Sequence, residues 1–533
     1  MSVYVPAVVL HKGLGLGRVL LFAYFMSEAQ AQYGLWALAL MLFNLGAPLM
    51  SLGSNQGLVR YVSYYEARGR LAEFYARTRR GVLICTALTF AAAALAAPGV
   101  SRLLVWFRAP GAGDASLGEL TQVCLAAVVN AFALALYMNM IGFMVGLRVY
   151  RLVSAVEVLF SVAFTVFGVG ALAIAPLSLS VLAAHVAALA VALAFGAAML
   201  HLAVRSRGRR DGAEPPARAA DAVVMEPMGE SDGVTGTTAY APADEGPGEP
   251  EAGRPGVMRR VLRYGAVAMV GNLLWLAAQY VSFLAVYLGG GEAEAGVFAI
   301  FLQLSQPTLF LANAAWAVLL SHVARRWEGR QRATAMLVLE TSYKAVALGM
   351  MALSLAIYAA APLWVRVLPE SYREGLPLVG GLLLMFQTVI HLAVMTILAK
   401  LHERPASIAL AALAGAACNA LLAWRWMGRF PTPAEGAAWA AGVGMLAGAG
   451  VVAAGYLVLC RARLRRSTWF LLAGPALLLG GLVVPAWWLL AAWGGVCLTA
   501  VTTPLLFDAR EKHLLAVSLK RVLNALRRAA GRA

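Results

Sequence analysis

The chain is 533 residues long, with 61% apolar residues, 13% charged residues and a formal net charge of +17. Soluble domains carry roughly 45–50% apolar and ~25% charged residues. So little charge cannot cover a water-facing surface, and the composition predicts an all-α polytopic membrane protein. The charges are also too sparse to line a nucleic-acid groove, so the basicity does not point to that partner.

Five cysteines (Cys85, Cys124, Cys418, Cys460, Cys497) lie in or at the end of apolar runs, without a CxxC pair. They read as buried small hydrophobes; no disulfide framework, metal site or cofactor is expected. The N-terminal apolar stretch contains His11, Lys12 and Arg18 and has no small-residue cleavage site. It reads as a retained first helix rather than a signal peptide.

Taken in chain order, apolar runs of spanning length cover 5–26, 34–56, 81–106, 120–145, 152–174 and 177–203. They continue at 262–288, 295–321, 343–367, 376–399, 406–426, 436–459, 468–484 and 487–507, giving fourteen spans. Pro485 marks either a turn between the last two or a kink in one long helix. With the N-terminus inside, thirty-five of the 43 basic residues fall in cytoplasmic segments, six in outer loops and two within the first span. That bias is the one the positive-inside rule demands, so both termini are expected to be cytoplasmic.

The stretch 205–257 holds seven prolines, nine glycines and ten acidic residues. It cannot bury enough surface to offset the entropy of ordering and is expected to be a disordered cytoplasmic linker. The expected plan is therefore an N-lobe over 1–204, the linker, a C-lobe over 258–466, two additional spans over 467–507 and a tail over 508–533. The tail has Leu514, Leu515, Val517, Leu519 and Val522 among Lys520, Arg521, Arg527 and Arg528. That pattern suits a basic interfacial helix on an anionic leaflet. The lobes also share a faint repeat. Ala31–Leu40 reads AQYGLWALAL and Ala293–Leu302 reads AEAGVFAIFL, aligning Gly34 with Gly296. Both copies have the same polarity, as in a parallel repeat about an axis normal to the membrane.

Arg18 lies thirteen positions beyond Val5, or ~20 Å along a helix, near the bilayer midplane. An arginine there costs at least ~2.5–3.5 kcal/mol unless it faces protein or water. His11, Gly15 and Arg18 share one helical stripe, which is expected to project into an inter-helix cavity. Lys12 and Glu157 lie at similar depths and can pair, as a structural ion pair or as part of an ion-coupling site. His185 and His391 are lone intramembrane imidazoles that suit either a hydrogen-bonded neutral role or proton coupling. Amides, among them Asn272, Gln279, Gln303, Gln306 and Asn313, concentrate over 272–313, which suggests that spans seven and eight line the same cavity. The run Gly13–Gly17 follows no strand and is not a nucleotide fingerprint.

The stretch from Gly17 to Gly81 includes GRVLLFAYFMSEAQAQYGLWALAL and LGSNQGLVRYVSYYEARGRLAEFYARTRRG. It contains the Tyr33-Gly34 step, then Gly57-Leu58 with Arg60, then a basic connector. In these features it resembles the start of the polysaccharide-biosynthesis flippases of the multidrug/oligosaccharidyl-lipid/polysaccharide exporter superfamily. The six-plus-six-plus-two plan fits that family, including its lipid II flippase branch, although the 205–257 insert exceeds the usual inter-lobe linker. The resemblance implies two six-helix lobes around a cavity open alternately to either face. It further implies transport of a polyprenyl-diphosphate-linked oligosaccharide from the inner to the outer leaflet of a bacterial cell membrane. A monomer is expected, with coupling to a Na⁺ or H⁺ gradient or to the membrane potential as open alternatives.

In that reading Arg18, with Lys12 and His11, meets the diphosphate, because Arg binds phosphate bidentately. Asn272 and Gln279 meet sugar hydroxyls, and Glu157 and His185 are ion-coupling or ion-pair candidates. A multidrug exporter of the same superfamily is the nearest alternative, although a cation site should present carboxylates. A membrane polymerase or ligase is a further one, but the sequence offers no nucleophile–base arrangement and no large outer loop. No enzymatic activity is expected.

Overall fold

The computed structural model describes residues 4–66, 70–210, 257–309, 312, 316, 319, 323, 326–327, 331–402, 404, 406–460 and 464–530. Most of the expected linker, 211–256, lies outside the described residues, as do 531–533. All regular structure among the described residues is helical. Unbroken apolar runs can satisfy their backbone groups in lipid only this way or in a closed barrel. Ten helices are long and apolar enough to cross a membrane, and Gly13–Phe25 and Ala486–Thr502 are shorter apolar helices.

The first half comprises α1 (Tyr4–Phe25), α2 (Gln30–Met50), α3 (Ser54–Glu66), α4 (Leu71–Phe107), α5 (Leu117–Gly146), α6 (Tyr150–Ile174) and α7 (Ser178–Arg210). The second begins with α8 (Val257–Ser305), two arms joined across a kink at Gly291. It continues with α9 (Arg332–Trp364), α10 (Leu378–His391), α11 (Ala393–Leu401), α12 (Ala406–Trp426) and α13 (Pro433–Gly444). After a π turn at Met445–Ala449 come α14 (Gly450–Leu459), α15 (Arg466–Leu472), a 3₁₀ segment (Gly474–Leu482), α16 (Ala486–Thr502) and α17 (Ala509–Ala530).

Two expected spans are altered. The span 34–56 stops at Met50, because Leu52 and Gly53 have positive φ (48° and 70°) and redirect the chain into α3. The span 468–484 is α15 followed by the 3₁₀ segment, and Pro485 is extended. It therefore separates two elements by a turn rather than kinking one.

The two halves meet along α2 and the second arm of α8. Gly34 and Gly296 pack there reciprocally. A Cβ at Gly34 would overlap the carbonyl of Glu292, four residues before Gly296. A Cβ at Gly296 would strike the carbonyl of Gln30, four residues before Gly34. Equivalent residues thus meet about a pseudo-two-fold axis. At the other end of this seam Gly53 and Gly265 touch backbone to backbone, and Gly57 meets the Val261 carbonyl.

At the predicted outer end, Arg108 at the close of α4 forms a buried ion pair with Glu292 beside the α8 kink. Arg108 also donates to the Tyr287 hydroxyl at 2.7 Å, and Ala109 N donates to Leu288 O at 2.8 Å. Gly291 (φ 84°) presses against the Gly113 backbone, an approach and a conformation that favour glycine. Gln30 Nε2 donates to Ser371 O, Ser371 Oγ to Ser27 O at 2.9 Å, and Tyr372 OH to Met26 O at 2.9 Å. The turns of both halves therefore close over one another.

At the opposite end, Lys344 is buried against Glu511 (2.8 Å) and the Leu506 carbonyl (3.0 Å). Arg465 reaches both Glu511 and Asp508, while buried Glu340 accepts from Arg465 N and Thr468 Oγ1. Lys344 falls at the start of the expected span 343–367. It sits twelve residues inside α9 and fixes the root of α17 to the second lobe. Glu157 is likewise not the only acid taken into the helical body, since Glu292, Glu340 and Glu511 are all buried.

Candidate functional site

Two connected chambers lie along the seam. The first, about 200 Å³, is lined by Arg18 from α1, Tyr33, Trp36, Phe43 and Asn44 from α2, Phe160 and Phe164 from α6, His185 from α7 and Gln303 from α8. The second, about 160 Å³, shares Leu40, Asn44 and Gln303 with it and adds Tyr280, Phe283, Ala299, Leu302 and Gln306. Asn44 Nδ2 donates to the Tyr280 hydroxyl at 3.0 Å, a hydrogen bond between the two lobes. Among the described residues no carboxylate lines either chamber.

Arg18 reaches the chamber because α1 packs along α6 and the guanidinium carbon lies 4.2 Å from the Phe164 ring centroid. Stacking on an aromatic face suits the weakly hydrated guanidinium. Its Nη1 has no hydrogen-bond partner. The Tyr33 hydroxyl and Gln303 Nε2 are buried without a partner as well; they are neighbours but do not meet in hydrogen-bond geometry. Three groups able to donate thus face one space, and none of them has a hydrogen-bond partner among the described residues. Buried donors of this kind are completed by a ligand, an ion or ordered water.

His185 occupies an aromatic box. Its ring stacks on Phe43 at 4.9 Å between centroids and meets Phe164 edge-on at 4.7 Å, with Phe160 at 5.5 Å and Trp36 at 6.3 Å. Its Nδ1 pairs with Asn130 Oδ1 at 2.6 Å. The Asn130 amide nitrogen donates to Ala126 O (2.9 Å) and Leu182 O (3.3 Å).

The other sequence-singled residues scatter. His11 Nδ1 bonds Ser161 Oγ and the Glu157 carbonyl (3.2 Å), so it joins α1 to α6 instead of lining the chamber. Gln279 is half-buried on the first arm of α8, one residue from Tyr280, and lines neither chamber. The side chains of Lys12 and Asn272 lie outside the described residues, so their geometry is not among these contacts. His391 is buried in the second lobe, its Nδ1 on Gln387 O at 2.8 Å. Tyr33 entered the sequence reading only as half of a Tyr-Gly step, and Asn44 and Tyr280 did not enter it. Asn44 carried a usable signal, being an amide in the middle of an apolar run; the aromatic box carried none, because such residues read as core.

No protein-family model matches the sequence, and no curated protein matches it. Solved structures do. The chain is similar to an inward-facing multidrug resistance MATE family transporter of the MOP superfamily, at 14% identity and a TM-score of 0.57, over 85% of this chain and 96% of that one. It is similar to the lipid II flippase MurJ in an inward closed conformation, at 8% identity and a TM-score of 0.59, over 94% and 100%. A third, at 13% identity and a TM-score of 0.51 over 86% and 94%, is a MOP superfamily transporter from Pyrococcus furiosus described by a reverse polarity of its binding pocket. Identity this low carries the fold alone, and the fold of this chain is the one found in MOP-superfamily transporters and flippases.

Proposed function

We propose that the chain is an alternating-access flippase that moves a polyprenyl-diphosphate-linked oligosaccharide from the inner to the outer leaflet for surface polysaccharide synthesis. The observation that carries this reading is the convergence of Arg18 Nη1, Tyr33 OH and Gln303 Nε2, all without acceptors, in one chamber. Unpartnered donors gathered beside a guanidinium suit an anionic group such as a diphosphate. The neighbouring chamber, with Asn44, Gln303, Gln306 and Tyr280, offers the mixed donors and acceptors that sugar hydroxyls need. The absence of lining carboxylates disfavours an organic-cation substrate. The resemblance of the Gly17–Gly81 stretch points the same way.

In this reading 1–204 and 258–466 are the two moving lobes, both termini are cytoplasmic, and the protein works as a monomer in the bacterial inner membrane. Each hydrogen bond to a charged group contributes ~1.5–3 kcal/mol. Arg18→Ala should therefore weaken binding of a lipid diphosphate by roughly 10–100-fold and stop transport, while the protein still inserts and folds. The check is accumulation of lipid-linked oligosaccharide on the inner leaflet in a deletion strain carrying the variant. Wild-type surface polysaccharide from Arg18→Ala, or preferential binding of a cationic dye over the lipid diphosphate, refutes the assignment.

A further inference from the structure

Arg18 and His185 flank the same ring. The guanidinium carbon lies 4.2 Å from the Phe164 centroid and the imidazole centroid lies 4.7 Å from it. Both side chains line the same 200 Å³ chamber. The tautomer of His185 is fixed by its neighbour. Because the Asn130 nitrogen is committed to two carbonyls, its oxygen faces His185. His185 Nδ1 must therefore carry a proton and donate. A neutral His185 then has its lone pair on Nε2, the only position at which it can take a further proton.

Of the titratable groups on the surrounding helices, Arg18 on α1 and Tyr33 on α2 share the chamber; α4 contributes nothing to its lining, and Cys124 and Tyr137 on α5 and Glu157 on α6 lie outside it. Without a ligand, burial disfavours a charged imidazole and Arg18 beside it adds like-charge repulsion, and among the described residues no carboxylate lines the chamber to offset either. An anion placed between the two groups reverses the balance. The imidazolium would then gain a counter-ion, and its aromatic box (Phe43 stacked, Phe160, Phe164 and Trp36 around it) would stabilise the positive ring.

We infer that anionic ligand binding in this chamber is coupled to uptake of one proton at His185 Nε2. The empty chamber carries one positive charge, from Arg18, and the occupied chamber two. This rests on the anionic-ligand reading of the chamber and adds to it a proton linkage and a second ligand-contacting cation.

The test is titration calorimetry of the purified full chain with farnesyl-diphosphate-linked N-acetylglucosamine. Each phosphate of this probe carries one ester and one anhydride linkage and has only a strongly acidic ionisation, so the probe does not itself titrate near neutrality. Running the titration at about pH 7 in two buffers of different ionisation enthalpy reads out the protons bound per ligand. The expected result is uptake of about one proton by the wild type. His185→Asn keeps an amide donor for Asn130 and cannot titrate at this position; uptake should fall to zero, with the affinity weakened and its pH dependence flattened. Asn130→Asp places a carboxylate on Nδ1–H, which should hold His185 charged in the empty protein. Uptake should then also vanish, with affinity retained, a result that mere loss of packing does not produce. Arg18-dependent binding without proton uptake in the wild type, or undiminished uptake in His185→Asn, overturns the linkage and leaves the chamber assignment standing. Absence of Arg18-dependent binding overturns the chamber assignment and the linkage with it.

Discussion

Replacing Glu292 with glutamine should open the predicted outer end. Glu292 is 2% exposed and faces Arg108, which is 9% exposed. Gln keeps the volume and removes the charge, leaving the Arg108 guanidinium without a counter-ion and with neutral acceptors, namely the Gln oxygen, the Tyr287 hydroxyl and the Ala115 carbonyl. Breaking one side of a buried pair costs about 3–5 kcal/mol, and each 1.4 kcal/mol is tenfold in an equilibrium. Because the pair joins α4 of one lobe to the α8 kink of the other, that cost falls on the closed arrangement alone. Opening should be favoured by roughly two to three and a half orders of magnitude.

The assay places a single cysteine at Gln303, inside the chamber, in a background without the five native cysteines, and follows its labelling by a membrane-impermeant maleimide added outside. Labelling should be slow with the native pair and fast with Glu292→Gln. Arg108→Gln combined with Glu292→Gln should be intermediate, since no charge is then stranded. Equal labelling rates for all three would refute the idea that this pair holds the lobes together. So would a doubly substituted protein as open as the singly substituted one.

Gly34→Ala should force α2 away from the Glu292 carbonyl and cost about 1–3 kcal/mol, seen as a lower melting temperature. Gly99→Ala, where a Cβ meets nothing within 4 Å, is the matched control and should not destabilise. Lys344→Met removes the buried cation beside Glu511 and leaves its carboxylate to the half-exposed Arg465 and the Asp508 N–H, which should lower the melting temperature; adding Glu511→Leu should recover most of the loss in thermal melts of the detergent-solubilised protein. Asp508 is held below the ordinary carboxylate range first by the Glu511 backbone N–H and then by Arg465. Its folded pKa is thus depressed, so its contribution is present above its unfolded pKa of ~3.9 and is lost as pH falls through the folded value. The release of α17 on acidification, followed by protease access to 509–530, should shift to higher pH in Arg465→Gln.

The multi-span helical architecture was legible because lipid leaves the backbone few choices, and apolar run length reports the outcome directly. The Gly34–Gly296 alignment was legible for a related reason. A repeat that packs about its own axis keeps small residues where backbones touch. Arg18 announced itself by the cost of its depth. The ion pairs were hidden for a different reason, since Arg108–Glu292 and Lys344–Glu511 join residues 184 and 167 positions apart. Each partner alone lies near the end of an apolar run, where a charge is ordinary. Gln303 was legible as one of a cluster of amides, but Tyr33 was hidden, because its significance is that no described residue completes its hydroxyl, and unsatisfied valence is a property of three-dimensional surroundings, not of spacing.

The seam and the chambers obey different symmetries, and the difference bears on direction. Gly34 and Gly296 contact each other through equivalent backbone positions, so the helices that close the cavity are related by the repeat. The charge is not. Arg18 and His185 both come from the first lobe, whereas the second contributes Tyr280, Gln303 and Gln306, all neutral. In the alternating-access reading proposed above, a symmetric seam would let the lobes rock about a common axis with little bias from the backbone. An asymmetric lining gives an anionic head group one preferred wall, so the ligand should travel with the first lobe while the second exchanges contacts across it. Asn44–Tyr280 is the inter-lobe hydrogen bond between those walls, and a sugar in the second chamber would compete for both of its ends. Ligand binding and loosening of the seam therefore involve the same atoms, which is the differential interaction between states that a ligand needs in order to shift a conformational equilibrium.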